Sequence, residues 1–327
     1  MAADPTTPAS DSDAPGIETR GLVKRYGERA ALQGLDLQVP RGAFFGMLGP
    51  NGAGKTTLVG ILTTLLEASE GEARLLGRDV RRERAAVRRC VGVVFQESTL
   101  DPELTPREHL GLYARLYRLP DVGARVDGML ARLDLCDHAD RPVRELSGGM
   151  KRRLEIGRGV LHEPSLLFLD EPTTGLDVAA RAAVWKLLRD LRAAGDTTLF
   201  LTTHSMEEAD ALCESLAVMD AGRVVATGSP EALKAALGGD VASLVVERGD
   251  GAEARLGAVE GVADVTREAR PDGTAAVRVT VREGPRRLPA LLDAVRDLGV
   301  VEVTLHRPSL EDVFLHHVGA TIEERDT

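Results

Sequence analysis

A glycine-rich segment, GPNGAGKT from Gly49 to Thr56, constrains the fold of this chain more than any other feature. It follows a short apolar run, AFFGML, and opens an amphipathic run, LVGILTTLL, so the pattern predicts a strand, a glycine loop and a helix. The backbone N–H groups of such a loop can surround phosphates, its lysine can reach their oxygens, and its threonine hydroxyl can ligate magnesium. We therefore predict a nucleotide site formed by Gly49, Pro50, Asn51, Gly52, Ala53, Gly54, Lys55, Thr56 and Thr57.

Apolar segments alternate with helix-patterned segments around this loop. The runs CVGVVFQ, SLLFLDE, TTLFLTTH and SLAVMDAGRVVATG predict strands, with a helix between SLLFLDE and TTLFLTTH. This alternation indicates an α/β protein whose sheet is largely parallel and covered by helices. The stretch from about residue 98 to 161 has mostly helix-period apolar residues and predicts an inserted helical subdomain. A strand pair is predicted around IETRGLVKRYG and LQGLDLQV.

Two carboxylates end the predicted strand LLFLDE, at Asp170 and Glu171. Asp170 can hold magnesium through its waters, and Glu171 can orient or deprotonate an attacking water. The alternative is an acidic strand end that only caps the next helix. Because the chain also has the glycine loop, we predict that the two carboxylates belong to a site that hydrolyses a nucleotide.

Two further polar residues end predicted strands, where ligands gather in open α/β sheets. His204 can hydrogen-bond a γ-phosphate, although a strand-end histidine alone is more often a helix neighbour without a ligand. Gln96 can approach magnesium and the water, although an isolated glutamine is ordinarily a surface residue. In the context of the glycine loop we predict a role in the site for both.

The segment ELSGGMKRRLEIGRG, Glu145 to Gly159, combines a good helix N-cap, Ser147, with Gly148 and Gly149, which allow close backbone approach. It predicts an anion site at a helix N-terminus. The basic residues Lys151 to Arg153 either balance phosphate charge or are simply exposed charge.

After about Gly239 the pattern restarts in the order β-α-β-β-α-β, which is that of a ferredoxin-like unit. Its last predicted element, RPSLEDVFLHHVG, is interpreted as a helix that packs back on the rest of the chain.

Charge and hydropathy exclude other classes. The formal net charge of −10 argues against a general nucleic-acid binder, because counterion release needs a basic face. The basic run RDVRRERAAVRR, which ends at Arg89, is interpreted as a solvated face rather than an RNA or lipid contact. No segment approaches the roughly 20 apolar residues that span a bilayer. The first 16 residues lack signal-peptide features and predict a disordered tail.

Tyr26, GPNGAGKTT, Gln96, LSGGM, LLFLDEPTTGLD and His204 together resemble, in order and spacing, the nucleotide-binding subunit of ATP-binding cassette (ABC) transporters. The resemblance covers about Ile17 to Gly238. It implies a P-loop fold with a RecA-like α/β core, an antiparallel β subdomain and a helical signature subdomain at about 98–161. The C-terminal α+β module would then occupy 239–318, followed by a tail at 319–327.

The resemblance also implies roles for single residues. ATP and Mg²⁺ would be the bound species, with Lys55, Gln96, Glu171 and His204 as catalytic groups and Thr56, Gln96 and Asp170 at the metal. Tyr26 would stack on adenine, although a lone tyrosine can equally be a core residue. Ser147, Gly148 and Gly149 would complete the γ-phosphate shell of a second copy of the chain, and Asp177 would lie at the dimer seam. The family usually has glutamine where this chain has Met150.

The ending PSLEDVFLHHVG resembles the tails of exporter ATPases of the daunorubicin-resistance type, which pair with separately encoded permeases. This similarity implies an ATPase subunit at the cytoplasmic face of the membrane that powers export of a drug, antibiotic or lipid-like compound. The partners would be a membrane permease and a second copy of the chain, without nucleic acid. An importer ATPase, and a soluble ABC ATPase acting on ribosomes or DNA, remain alternatives.

Overall fold

The computed structural model describes residues 14–195, 197–270 and 273–325. The chain divides into two compact units, of which the first ends at Thr227 and the second begins at Gly228. The predicted disordered tail at 1–16 lies largely outside the described residues, and the first strand begins at Ile17, as the pattern predicted.

The first unit alternates strands and helices along its length. In chain order these are β1 (Ile17–Tyr26), β2 (Arg29–Val39), β3 (Phe44–Leu48), α1 (Lys55–Leu62), β4 (Glu70–Leu75), β5 (Arg78–Asp79), α2 (Arg84–Cys90), β6 (Val91–Val94), α3 (Pro106–Leu116), α4 (Val122–Arg132), α5 (Gly148–Val160), β7 (Leu166–Asp170), α6 (Val178–Ala193), β8 (Thr198–Thr203), α7 (Met206–Leu212), β9 (Ser215–Asp220) and β10 (Arg223–Gly228).

A six-stranded sheet with the order β10-β9-β3-β8-β7-β6 forms the centre of this unit. The pairs β3–β8, β3–β9, β7–β8 and β6–β7 are parallel, so β9, β3, β8, β7 and β6 all end at one edge. Every residue of β3, β7 and β8 is buried, which explains why these strands are continuous apolar runs rather than alternating ones. The residues that follow them are the ones that carry the predicted chemistry.

A second sheet has the order β2-β1-β4-β5, and each neighbouring pair of its strands is antiparallel. Its strands β1 and β2 match the strand pair predicted ahead of the glycine loop. Three phenylalanines of the central sheet, Phe45, Phe168 and Phe200, pack against one another. The ring centroids of Phe45 and Phe200 are 5.8 Å apart, and those of Phe168 and Phe200 are 5.5 Å apart.

Helices α3, α4 and α5 occupy the region predicted to be helical. Helix α3 begins with a full capping box, in which the Thr105 hydroxyl accepts from the Glu108 N–H and the Glu108 carboxylate accepts from the Thr105 N–H. The three helices pack with residues of the central sheet in one apolar cluster, to which they contribute Leu110, Leu130 and Leu154. This cluster fixes α5, and with it the segment that starts at Ser147.

The second unit contains α8 (Pro230–Ala236), β11 (Asp240–Val246), α9 (Ala252–Gly257), β12 (Val262–Ala269), β13 (Ala275–Val281), α10 (Gly284–Ala294), β14 (Val300–His306) and α11 (Leu310–Arg325). Its sheet has the order β12-β13-β11-β14, and every pair is antiparallel. This is the ferredoxin-like arrangement that the β-α-β-β-α-β order predicted.

The ends of the second unit differ from the sequence-based boundaries. The unit begins at Gly228 rather than near Gly239, and it includes α8, which packs against α11. Helix α11 continues to Arg325, beyond the predicted end at 318. Asp312, near its start, accepts hydrogen bonds from the Ser309 hydroxyl at 2.7 Å and from the His306 ring at 3.0 Å.

Candidate active site

The glycine loop joins β3 to α1 at the sheet edge where the parallel strands end. Gly54 has φ +111°, and a Cβ there would lie 2.5 Å from the Ala31 carbonyl oxygen. A Cβ at Gly49 would lie 2.4 Å from the Met219 carbonyl oxygen, so both positions require glycine. Helix α1 begins after Gly54 without a side-chain cap and without an acidic residue in its first turn. Its N-terminus therefore suits an anion.

Lys55 lies in the first turn of α1 and is buried against the loop. Its Nζ donates to the carbonyl oxygens of Gly49 at 2.7 Å and Pro50 at 3.1 Å, and it lies 3.5 Å from Glu171 Oε1. Burial lowers the pKa of Lys55, and the charge of Glu171 opposes that shift. The lysine is thus held at the loop by acceptors that a phosphate can replace.

Glu171 follows β7 directly and has φ +46°, a left-handed conformation that is uncommon for a residue with a side chain. Its Oε2 accepts from the Thr174 hydroxyl at 3.0 Å and from His204 Nδ1 at 3.1 Å. Because a carboxylate only accepts, Nδ1 of His204 carries the proton. Burial raises the pKa of Glu171, but the His204 hydrogen bond and the Lys55 charge outweigh it, so the pKa lies below its usual value. Glu171 is therefore an ionised carboxylate that can accept a proton.

Asp170 is the last residue of β7 and is buried. Its Oδ1 accepts a hydrogen bond from the hydroxyl of Thr202 on β8, whose carbonyl oxygen also accepts from the Glu171 N–H at 3.0 Å. Thr202 thus orients both carboxylate residues, a role that the sequence analysis missed. The only sequence signal was the polar pair of threonines before His204 at a strand end.

Gln96, Thr56 and Tyr26 are exposed around this centre. Strand β6 ends at Val94, so Gln96 lies two residues beyond the strand instead of at its last position. Tyr26 ends β1 and is 50% exposed, with Lys24 Nζ 5.0 Å from its ring centroid. Tyr26 is therefore not a core residue, which was the alternative, although Lys24 covers one face of its ring.

The Ser147 segment forms a separate part of the site. The Ser147 hydroxyl accepts from the Met150 N–H at 3.3 Å and caps α5, and both Ser147 and Gly148 are exposed. Met150 packs against the apolar cluster of the helical subdomain. Asp177 caps α6 by accepting from the Ala180 N–H at 2.8 Å. Within the described part of the chain, no hydrogen bond or ion pair joins Ser147, Gly148 or Gly149 to the glycine loop or Glu171.

One basic residue after Ser147 does not match the sequence interpretation. Arg152 is buried, and it is hydrogen-bonded to the backbone beside Asp170 and Glu171. It is therefore neither exposed charge nor a phosphate contact in this structure. Arg153, next to it, pairs with Asp134 at 3.3 Å.

The residues present fit a magnesium nucleotide. In the described ranges, no group of three or more histidine, cysteine, aspartate or glutamate side chains is placed to hold a metal ion by itself. Magnesium commonly takes one or two protein oxygens together with substrate phosphates and water. Thr56 and Asp170 supply such oxygens beside a loop shaped for phosphate, so the metal would arrive with the nucleotide.

Two family models match the chain. The model described as "ABC transporter" matches residues 32–174. The model described as "ATP-binding protein DrrA1-3-like, C-terminal domain" matches residues 228–318, which begin where the second unit begins.

Curated relatives match over nearly the whole chain. The daunorubicin resistance ATP-binding protein DrrA3 of Streptomyces coeruleorubidus is 43% identical over 93% of this chain and 96% of its own length. The Nod factor export ATP-binding protein I of Ralstonia nicotianae is 39% identical over 95% of this chain and 96% of its own length.

Solved structures match about two thirds of the chain. CbiO1 of Clostridium perfringens, described as part of the ABC transporter complex cbiONQ, is 29% identical and has a TM-score of 0.63, covering 68% of this chain and 92% of its own. A dimeric structure of a bacterial ABC transporter cassette is 27% identical with a TM-score of 0.60, covering 65% of this chain and 98% of its own. Among the described helices, none has both the length and the apolar character to span a membrane.

Proposed function

The chain belongs to the ABC transporter family and is an ATP hydrolase of that family, and from this premise we propose that it powers the export of a drug, antibiotic or lipid-like compound through a separately encoded membrane permease. The observation that supports ATP hydrolysis as the source of power is the contact chain Lys55–Glu171–His204 beside the glycine loop. It combines a cation for phosphate, an ionised base and a group that orients the base.

Each residue then has a defined task in hydrolysis. Glu171 accepts a proton from the water whose oxygen attacks the γ-phosphorus, while the bond from that phosphorus to the β-phosphate oxygen breaks and ADP leaves. His204 donates a hydrogen bond to Oε2 of Glu171 and keeps the carboxylate oriented toward the water. Lys55 binds the β- and γ-phosphate oxygens. Magnesium, held through Thr56, Asp170 and Gln96, would neutralise phosphate charge.

The turn at Ser147, Gly148 and Gly149, of which Ser147 and Gly148 are exposed, supports a composite site made by two copies of the chain. Its hydroxyl and N–H groups bind the γ-phosphate on the partner copy, with Asp177 near the seam. Because ADP lacks that phosphate, it cannot make these contacts, so ATP favours the closed dimer and hydrolysis reopens it. The dimeric solved cassette supports self-association of this kind.

The direction of transport is proposed from the relatives. Their names refer to daunorubicin resistance and to Nod factor export, and they match this chain across both units. The second unit matches a C-terminal domain model of the DrrA type. These similarities favour an exporter over an importer or a soluble ATPase. For such an exporter we propose a location at the cytoplasmic face of the membrane, through its permease.

The test is purification of the tagged chain from its native membrane, followed by reconstitution of the complex in vesicles. We expect an integral membrane protein to copurify in equal amount, ATPase activity in the complex, and substrate movement away from the side that carries the ATPase. Glu171→Gln should reduce the ATPase rate at least about 100-fold. Recovery with ribosomes or DNA and without a membrane protein would contradict the proposal, and movement in the opposite direction would indicate an importer.

A further inference from the structure

Three charged side chains are buried along one side of α5, at positions 152, 155 and 158. Arg152 and Glu155 form an ion pair at 2.9 Å, with side chains 7% and 5% exposed. Burying a charge pair is costly unless its remaining polar atoms are also satisfied. The partners of these groups therefore indicate what the pair is for.

The Arg152 guanidinium uses all five of its N–H donors. Each donor meets an acceptor within hydrogen-bond distance, and four of the five acceptors are backbone carbonyl oxygens. The contacts are Nε to Pro172 O at 2.6 Å, Nη1 to Phe95 O at 2.6 Å and Glu155 Oε2 at 2.9 Å, and Nη2 to Asp170 O at 3.1 Å and Glu171 O at 3.0 Å.

These carbonyls belong to two segments of the site. Asp170, Glu171 and Pro172 form the turn that carries the base, and Phe95 immediately precedes Gln96. Glu155 extends the same link, because its Oε1 accepts from the Thr99 N–H at 3.2 Å. Arg158 donates to the Thr99 carbonyl oxygen at 3.1 Å. One side of α5 is thus hydrogen-bonded both to the segment after β6 and to the turn after β7.

The turn at Glu171 needs such support. Its φ of +46° is unfavourable for a residue with a Cβ, and conformations of this kind persist only where surrounding contacts enforce them. The Glu171 N–H is held by Thr202 on β8, and the Glu171 carbonyl oxygen is held by Arg152. The two contacts fix the peptide groups on both sides of the base.

We propose that Arg152 is a positioning residue for hydrolysis, which locks the backbone at Glu171 and Phe95 so that the base and Gln96 face the nucleotide together. The inference rests on the proposed role of Glu171 as the base. Arg152 has no contact with the nucleotide in this account and acts only through the backbone that it holds. Lysine cannot replace it, because an ammonium offers three donors to five acceptors.

The experiment compares the double variant Arg152→Met/Glu155→Gln with Arg152→Lys and the control Arg153→Gln, all in the full chain within its complex. The double variant removes both buried charges, and Arg152→Lys keeps the charge while losing two donors. For each we measure thermal unfolding, the Kd for ATP, and kcat and KM of the ATPase. The variants are then repeated in a Glu171→Gln background under single-turnover conditions.

We expect kcat to fall about 10- to 100-fold in the double variant and by less in Arg152→Lys, because small misplacements of reacting groups have effects of this size. Kd and KM should stay within about 3-fold, and Arg153→Gln should match the parent. The loss in the Glu171→Gln background should be smaller than in the parent background, because only the positioning of Gln96 is then left to lose. A folded variant with parental kcat, a loss confined to Kd and KM, or an equal loss in the Glu171→Gln background would overturn the proposal.

If the double variant does not fold, the Arg152→Lys kcat decides in the same way. Failure of the proposed export function appears as recovery of the chain without a membrane protein, and failure of the proposed role of Glu171 as the base is also distinguishable from failure of this inference. In that case Glu171→Gln itself would hydrolyse ATP at the parental rate, whatever the Arg152 variants do.

Discussion

At the scale of single residues, the chemistry depends on how neighbours set the charge of Glu171. His204, which follows β8, and Lys55, in the first turn of α1, approach its two carboxylate oxygens and keep the group ionised inside a buried turn. A carboxylate buried without them would have a raised pKa and would be a poorer proton acceptor at neutral pH.

Lys55→Ala is predicted to weaken ATP binding about 10-fold or more, because the cation that reaches the phosphates is lost and Glu171 is left buried without its partner charge. Titration of the purified chain with ATP measures the effect. Lys186→Ala, which removes an exposed lysine paired with Asp190, is the control and should bind as the parent does. Unchanged affinity in Lys55→Ala would contradict its assignment.

His162 predicts a pH dependence of stability in the first unit. Its ring stacks on Tyr117 at 3.9 Å, its Nε2 donates to the Val91 carbonyl oxygen at 3.1 Å, and its Nδ1 is buried without a partner. Burial lowers the pKa of His162 below its usual 6.5, so the unfolded chain takes up this proton at higher pH than the folded chain does. The stabilisation is therefore present above pH 6.5 and declines as the pH falls below that value.

The measurement is thermal unfolding at pH 7.5 and 5.5 for the parent and for His162→Phe, which keeps an aromatic ring beside Tyr117. The parent should lose more stability than the variant between the two pH values, by an amount on the order of 1 kcal/mol or less. Identical pH dependence in the two proteins would show that His162 does not contribute.

Lys55, Asp170 and Glu171 could be predicted as site residues from the sequence, because their spacing relative to glycine and to an apolar strand is local. The roles of Arg152 and Thr202 were missed. Arg152 donates to the Asp170 carbonyl oxygen and Thr202 to the Asp170 carboxylate, and only tertiary packing brings these residues near each other. A basic residue in a helix cannot be recognised as buried until the acceptors that satisfy it are known.

At the scale of elements, α5 contributes both to the proposed composite site and to the support of the turn at Glu171. Its first residues carry the proposed phosphate donors, and Arg152 on its buried side is hydrogen-bonded to the carbonyl oxygens of Asp170 and Glu171. The close approach of α5 to α6 depends on Gly149, where a Cβ would lie 2.7 Å from the Ala180 Cβ. Gly149 therefore has a packing role in addition to the predicted amide contact.

Gly149→Ala is predicted to destabilise the first unit by about 1–3 kcal/mol, because the added methyl forces the two helices apart. Gly148→Ala is the matched control for stability, since its Cβ would lie 3.6 Å from the Leu176 side chain, an ordinary contact. Denaturant unfolding of both variants measures the difference. Equal stability of the two would show that α5 and α6 do not need glycine at this point.

The central strands were predictable because buried parallel strands are continuous apolar runs. The ends of these strands were less predictable. Strand β6 stops at Val94, although the apolar and aromatic pattern continues to Phe95. Strand ends are set by hydrogen-bond partners rather than by local hydropathy, and here the Phe95 carbonyl oxygen bonds to Arg152 instead of to a strand.

At the scale of the whole molecule, every predicted nucleotide residue lies in the first unit. The sequence pattern predicted two modules but placed the boundary after α8, since a lone short helix carries no signal for which module it packs on. Its contacts with α11 assign it to the second unit.

A chain ending at Thr227 is therefore predicted to bind ATP with an affinity within about 3-fold of the full chain, because a unit with its own core can retain its local site. A chain ending at Gly238 keeps α8 but lacks α11, and we expect Leu233 to become exposed. This chain should be no more stable than the chain ending at Thr227, and it should aggregate more readily. Calorimetric ATP titration and thermal unfolding of both chains test this. Loss of ATP binding in the chain ending at Thr227 would show that the second unit is needed for the site.

The most direct test of the composite site is a measurement of mass in solution. The Glu171→Gln chain is measured with ATP and with ADP, and the double variant Glu171→Gln/Ser147→Arg is measured with ATP. Multi-angle light scattering should give a dimer for Glu171→Gln with ATP, because the γ-phosphate persists and bridges the glycine loop of one copy to Ser147 of the other. It should give a monomer with ADP and a monomer for the Glu171→Gln/Ser147→Arg chain with ATP. A dimer that forms equally with ADP, or one that survives Ser147→Arg, would contradict the account.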